Sequence, residues 1–139
     1  MKKANFKDAI IKTADFSRAD LTGADMRGTV LHWAFGGDGT NFNDSNWEGS
    51  TLGSTRKSTF RGTNLRKAIL LGSYIDNDFT GADLRGANLL AAKIIPNPNA
   101  GNVWKKAKYD EDTAFPKGFD PKEEGMILTK PDEKKDDKK

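Results

Sequence analysis

His32 is the only histidine in a chain of 139 residues that has no cysteine. An imidazole can act as a general base or hold a metal, but either task needs a second group converging on it, and no thiol or further histidine is present. Asp76, Asp78 and Asp83 lie close together in sequence, as two carboxylates sharing acid-base work must lie in space. The stretch Gly36-Gly37-Asp38-Gly39-Thr40-Asn41 is reminiscent of the glycine-rich calcium repeat of parallel β-rolls. Those sites are completed by adjacent copies, and a single copy reads as a bulged turn. It also lacks the Gly-Lys-Ser or Gly-Lys-Thr ending of a phosphate-binding loop. Arg56, Lys57, Arg61, Arg66 and Lys67 form the densest basic stretch, which with Trp33 and Trp47 offers a surface to an anionic partner or presents an ordinary solvated face. None of these groups completes a reaction centre. The expectation is no catalytic residue, no metal, no cofactor and no enzyme.

The elements that position these side chains follow from a period of five. Large apolar residues recur at Phe6, Ile11, Phe16, Leu21, Met26, Leu31, Phe42, Trp47, Leu52, Phe60, Leu65, Leu70, Ile75, Phe79, Leu84, Leu89 and Ile94. Two positions before each stands Ala, Ser or Thr, with Asn77 before Phe79 as the exception, and no charge falls at either position. Five residues suit neither a helical turn of about 3.6 residues nor the alternation of a strand, so the chain must change direction once per repeat. Four right-angle turns close a square, about twenty residues make one coil, and coils stack about 4.8 Å apart. Glycine often follows two residues after the large one, as at Gly23, Gly28, Gly62 and Gly86, where a corner needs unusual dihedrals.

The segments Ala14 to Gly28 and Gly81 to Ala91 are near copies of A-[DN]-[LF]-x-x, and on these residues the chain resembles the pentapeptide-repeat family. The resemblance covers Ala4 to about Ile95 and implies an all-β fold, a right-handed quadrilateral β-helix of about four to five coils. It also implies that Asp83 is one of the outward Asp or Asn residues of the repeat and not half of a catalytic pair. Counting sides in order puts every irregularity after the second side of a coil: His32 to Gly39 after Leu31, Gly53 to Lys57 after Leu52, and one missing residue near Asp76 after Ile75. One edge bearing His32, Trp33, Asp38, Arg56, Lys57 and Asp76 is therefore the candidate interaction edge, since insertions in stacked repeats gather on one face.

The expected organisation is a β-helix over 1–95, a capping segment over 96–129 and a disordered charged tail over 130–139. Val103 to Tyr109 reads as a short helix, and Trp104, Tyr109, Phe115 and Phe119 as a lid. The stretch Thr113-Ala114-Phe115-Pro116-Lys117-Gly118-Phe119-Asp120-Pro121 resembles a tail found after the repeats of many cyanobacterial members. The N-terminal coil shows no comparable lid, which makes its edge a site for pairing with a second copy. Residues 1–95 hold 13 Lys and Arg against 10 Asp and Glu, a net of +3. The DNA-mimic mechanism of family members that modulate DNA gyrase needs a strongly negative surface, and this charge has the wrong sign. Nucleic acid is disfavoured for lack of a strong polyelectrolyte. No apolar run reaches the roughly 18 residues of a membrane span, and repeats beginning at Ala4 leave no room for a secretion signal, so a cytoplasmic location is expected. The resulting expectation is a non-enzymatic scaffold or protein interaction module with a partner whose identity is unknown.

Overall fold

The computed structural model describes residues 2–31, 40–53, 57–95 and 103–131. Each repeat ends in a corner. The carbonyl of a central residue accepts the N–H three residues on, as from Ala9 to Phe6 at 2.9 Å and from Ala87 to Leu84 at 2.9 Å. The third residue of this turn takes positive φ, as type II turns require. Glycine is least strained there: a Cβ on Gly62, whose φ is 63°, would stand 2.6 Å from Asp44 Oδ1. Where an Asp or Asn precedes the centre it closes the same corner, because its side-chain oxygen accepts the N–H two residues on. Asn5 does so for Lys7 at 3.0 Å, Asp20 for Thr22 at 3.1 Å and Asn88 for Leu90 at 3.0 Å.

Coils rest on one another through parallel bridges. One column runs Asn5, Asp25, Asn46, Asn64, Asp83, Lys108 and Ile127, with successive rungs 20, 21, 18, 19, 25 and 19 residues apart. Paired two-residue strands stand within the ladders. Ile10–Ile11 (β1) pairs with Val30–Leu31 (β2), Tyr74–Ile75 (β3) with Lys93–Ile94 (β4), and Lys108–Tyr109 (β5) with Ile127–Leu128 (β6). The result is an all-β, right-handed quadrilateral β-helix, and no helix occurs among the described residues.

The bridges assign each centre to a side. Phe6, Met26, Trp47, Leu65, Leu84 and Tyr109 lie on the first side, Ile11, Leu31, Leu52, Leu70, Leu89 and Phe115 on the second, and Leu21, Phe42, Phe60, Phe79 and Trp104 on the fourth. Phe16, Ile75 and Ile94 fall between, on the third. This corrects the count of sides made from the sequence. Thr59 bridges both Asn41 and Asp78, so Phe60 sits over Phe42 on the fourth side, and Leu65 opens the next coil. Leu52 on the second side and Phe60 on the fourth are only eight positions apart.

A second correction concerns the C-terminal segment. Val103 to Tyr109 is a turn followed by β5, not a helix, and it continues the ladder: the Phe79 amide donates to the Val103 carbonyl at 2.7 Å and the Leu84 amide to Lys108 at 2.8 Å. Trp104 and Tyr109 are buried within the stack, and Phe115 and Phe119 pack on it partly exposed. The tail expected over 130–139 lies outside the described residues from 132 onward.

The interior holds the large centres and the small residues before them. Leu21, Met26, Phe42, Trp47, Phe60, Leu65, Phe79, Leu84 and Leu89 are inaccessible to solvent, and Phe16, Leu31, Leu52, Leu70 and Ile75 are buried with them. Phe6, Ile11 and Ile94 are partly buried. The fourth side forms an aromatic column in which Phe42, Phe60, Phe79 and Trp104 stack with centroids 4.9, 5.3 and 4.8 Å apart. That spacing is the separation of neighbouring strands. Serine and threonine replace alanine at the small position without leaving a buried hydroxyl unpaired. Thr63 Oγ1 donates to the Phe42 carbonyl one coil below at 2.9 Å, and Ser50 Oγ to the Trp47 carbonyl of its own turn at 2.7 Å.

Candidate interaction surface

Up to Tyr109, the length variation among these coils falls between the second and fourth sides. From first side to second the centres are five residues apart through Leu89, and from fourth side to first five apart through Tyr109. From second to fourth they are 10, 11, 8, 9 and 15 residues apart, from Ile11 to Leu21, Leu31 to Phe42, Leu52 to Phe60, Leu70 to Phe79 and Leu89 to Trp104. His32, Trp33, Asp38 and Arg56 of the predicted edge belong to this third-side sequence but lie outside the described residues. Lys57 and Asp76 are described and meet there. The Lys57 amide donates to Asp76 Oδ1 at 2.7 Å, so the carboxylate stands in the ladder where a backbone carbonyl would otherwise accept.

The other polar groups singled out by spacing are dispersed by the fold. Asp76, Asp78 and Asp83 fall on the third, fourth and first sides respectively. Asp78 accepts from Thr80 Oγ1 at 2.7 Å and pairs with Arg61 at 2.6 Å, and Asp83 pairs with Arg85 at 2.6 Å. Burial pushes both carboxyls up, but the hydrogen bonds from Thr80 and Arg61 in one case and Arg85 in the other outweigh it and hold them below the ordinary carboxylate range. The basic stretch is divided in the same way, with Arg61 on the fourth side and Arg66 and Lys67 at the corner leaving the first. Among the described residues no group of three or more His, Asp or Glu is placed to hold a metal ion. No helix of the described chain is long and apolar enough to cross a membrane. A shallow depression of about 330 Å³ at the C-terminal end is lined by Glu111, Leu128, Thr129, Lys130 and Pro131.

The second side differs from its neighbours. On the first and fourth sides the outward residue before each centre is mostly Asp or Asn, whereas on the second it is Ile10, Val30, Thr51, Ile69, Asn88 and Ala114 in order up the stack. Leu71 and Leu90, one residue after their centres, extend this surface toward the third side, where Tyr74 adjoins it. Ile10 is 68% exposed, Leu71 57% and Leu90 48%, and Ile69 and Tyr74 are exposed as well. Ile69, Leu71, Tyr74 and Leu90 thus form an exposed apolar strip on two successive coils, and Ile10 is exposed three coils below, with the half-buried Val30 and Thr51 between.

Residues 1–34 match the family model described as pentapeptide repeats, which comprises 8 copies. Residues 1–34 are pentapeptide repeats. Among solved structures, the chain is similar to alr5209, a pentapeptide repeat protein from Nostoc PCC 7120, with 25% identity over 91% of this chain and 86% of that one and a TM-score of 0.31. It is similar to the pentapeptide repeat protein Rfr23 from the cyanobacterium Cyanothece 51142, with 14% identity over 92% and 86% and a TM-score of 0.49. A third is HetL, a pentapeptide repeat protein involved in heterocyst differentiation regulation from Nostoc sp. strain PCC 7120, with 22% identity over 82% of this chain and 42% of that one and a TM-score of 0.41. No match was found among curated proteins.

In pentapeptide-repeat register the apolar strip is visible in the sequence, although reading the sequence alone missed it. Ile10, Val30, Thr51 and Ile69 stand where the repeat places Asp or Asn, and each is one residue before a second-side centre. The signal is the identity of the outward residue sorted by side. It stays hidden while the repeats are read as one column, because only one repeat in four contributes to it.

Proposed function

We propose that this pentapeptide-repeat chain is a non-enzymatic module that binds another protein, using its second side. One observation carries the reading: Ile69, Leu71, Tyr74 and Leu90 are exposed together, with Ile10 exposed three coils below, on a stacked, hydrogen-bonded body whose first and fourth sides carry mostly Asp and Asn before their centres. Leaving apolar area in water costs about 25 cal/mol per Å², which covering by a partner recovers. The carboxylates and arginines are engaged with turn amides and with one another, which supports a structural role for them. A gyrase-directed DNA mimic draws no support from the described surface, where Arg27, Arg61 and Arg85 sit beside the Asp residues they neutralise.

The test is site-specific photocrosslinking in the native cells, with a benzophenone side chain at position 71 on the strip and, separately, at position 105 on the fourth side. A discrete protein adduct from position 71 and none from position 105 is the expected result. Equal labelling from both positions, or no adduct from either, overturns the reading.

A further inference from the structure

We infer that copies of this chain stack end to end, the first coil of one resting on the last strand of the next and continuing its ladder. The surfaces are the two end faces, and the partner is a second copy. Among the described residues the ladder carries unused hydrogen-bonding groups at both ends. Asp25 donates to the Ala4 carbonyl at 2.9 Å and accepts from the Phe6 amide at 2.8 Å, so the N–H and C=O of Asn5 itself point away from the coil above. Val30 donates to the Ala9 carbonyl at 2.9 Å in the same way, and the groups of Ile10 point away with those of Asn5. At the other end β6 pairs with β5 alone, donating from Ile127 to Ala107 and from Thr129 to Tyr109, both at 2.8 Å, so the groups of Leu128 face outward. Ile127 and Leu128 are exposed, and Phe6 and Ile11 are only partly covered. An unpaired strand edge beside apolar surface is a template for further pairing.

Register and charge select a second copy and its direction. The column that opens at Asn5 closes at Ile127, so Asn5 of the added copy takes the next rung and accepts from the Leu128 amide, as Lys108 accepts from Leu84 at 2.8 Å. In that register Asp8, two residues after Phe6, stands over Lys130, two residues after Leu128. Lys2 and Lys3 stand over Glu124 and Gly125, because the corner amides link Lys3 to Thr22, Gly23 to Asn43 and so on up to Lys106 and Gly125 in one column.

The faces as a whole agree. The first coil, 2–21, holds five Lys and Arg against three Asp, whereas the last turn, 110–131, holds three Lys against six Asp and Glu. Residues 132–139 hold four of each sign and add no net charge. Like ends brought together about a two-fold axis set basic against basic or acidic against acidic, and unlike ends meet with opposite charge. A single extended peptide pairs with one side of the square and leaves either Asn5 or Ile10, on adjoining sides, without a partner strand. Because each added copy presents the same two ends again, the assembly is an open row and not a closed dimer. A square about 10 Å on each side, with its surrounding side chains, falls short of the about 1,200 Å² that stable pairs bury, so the association is reversible and concentration dependent.

The experiment is sedimentation equilibrium of the full chain from about 5 to 500 μM in about 20 mM salt, repeated in about 0.5 M salt. The average mass is expected to rise past that of a dimer, and the association constant to fall at least about tenfold in high salt. Lys2→Glu with Lys3→Glu, and separately Glu123→Lys with Glu124→Lys, should each weaken self-association at least about tenfold while melting as the unsubstituted chain does. Mixed together the two variants associate again, because each supplies the end that the other has lost. A mass that levels off at the dimer, or folded variants that fail to recover on mixing, means that like ends meet and overturns the proposal. A monomer throughout the range overturns it as well. None of these results touches the protein-binding reading of the second side. Leu71→Asp is expected to leave self-association unchanged, and its loss in that variant moves the contact between copies to the second side and overturns end-to-end stacking.

Discussion

Asp83 accepts the Arg85 amide at 3.2 Å and two guanidinium nitrogens of the same residue, Nε at 2.9 Å and Nη2 at 2.6 Å. It therefore closes a turn and neutralises a charge at once. Asp25 repeats the arrangement with Arg27, whose side-chain hydrogen bond holds its carboxyl low, and Asp20 does so with the Thr22 hydroxyl. A carboxyl with a lowered folded pKa contributes stability that is complete above its unfolded value of about 3.9 and is lost as pH falls through the folded value. Melting temperature is accordingly expected to hold from pH 7 to 5 and to drop below about pH 4 in calorimetry. Asp83→Asn keeps the turn acceptor and removes the charge, so it should melt somewhat lower at neutral pH, by up to about 1 kcal/mol, and lose less than the unsubstituted chain on acidification. An equal acid loss in both would show that Asp83 does not titrate with folding. The sequence is most legible at this scale where a corner pairs an Asp or Asn acceptor with a glycine, as Asp20 does with Gly23 and Asp83 with Gly86, and less so where Lys67 or Ala91 takes the left-handed position.

Within an element, the column Phe42, Phe60, Phe79 and Trp104 shows why coils depend on their neighbours. Phe60 stacks on a ring below and a ring above, with interplanar angles of 20° and 17°, and Trp47 meets it edge-on at 5.9 Å. Phe60→Ala removes all three contacts from a site with no solvent access and should cost about 3 to 5 kcal/mol. Phe6→Ala, at a partly buried position that meets one ring, Phe16 at 6.0 Å, should cost markedly less. Chemical denaturation of the two variants checks the order. The Val103 to Tyr109 segment failed as a helix for a reason visible in its residues. Ala107-Lys108-Tyr109 is a small, outward and large triplet like any other repeat, and Lys108 in place of Asp or Asn concealed it. The third side was misassigned because counting assumes five residues per side, and Leu52 on the second side is only eight positions from Phe60 on the fourth. Spacing reports that a corner exists, whereas only the hydrogen bonds between coils report which corner it is.

The whole molecule is a stack in which each layer is stabilised by the layers on either side, so resistance to opening should vary along the axis. Amide hydrogen exchange is expected to be slowest between Phe42 and Leu89, where the centres are buried and coils lie above and below, and faster over 2–21, where Phe6, Ile11, Ala4, Ala9 and Ala14 are only partly covered. Uniform protection along the chain would mean that the stack opens as one unit. Architecture at this scale was legible from the period alone, while the apolar strip was not, because it appears only once four repeats are folded into a square. The uneven third side has a consequence of its own. Turns of 18 to 25 residues share the same rungs, so a stretch of sequence can be spliced in or removed there without moving the apolar strip one corner away. Such a chain can acquire cargo on one wall while the adjoining wall keeps its alignment, a division of labour that repeat-scaffold engineering normally has to impose by hand.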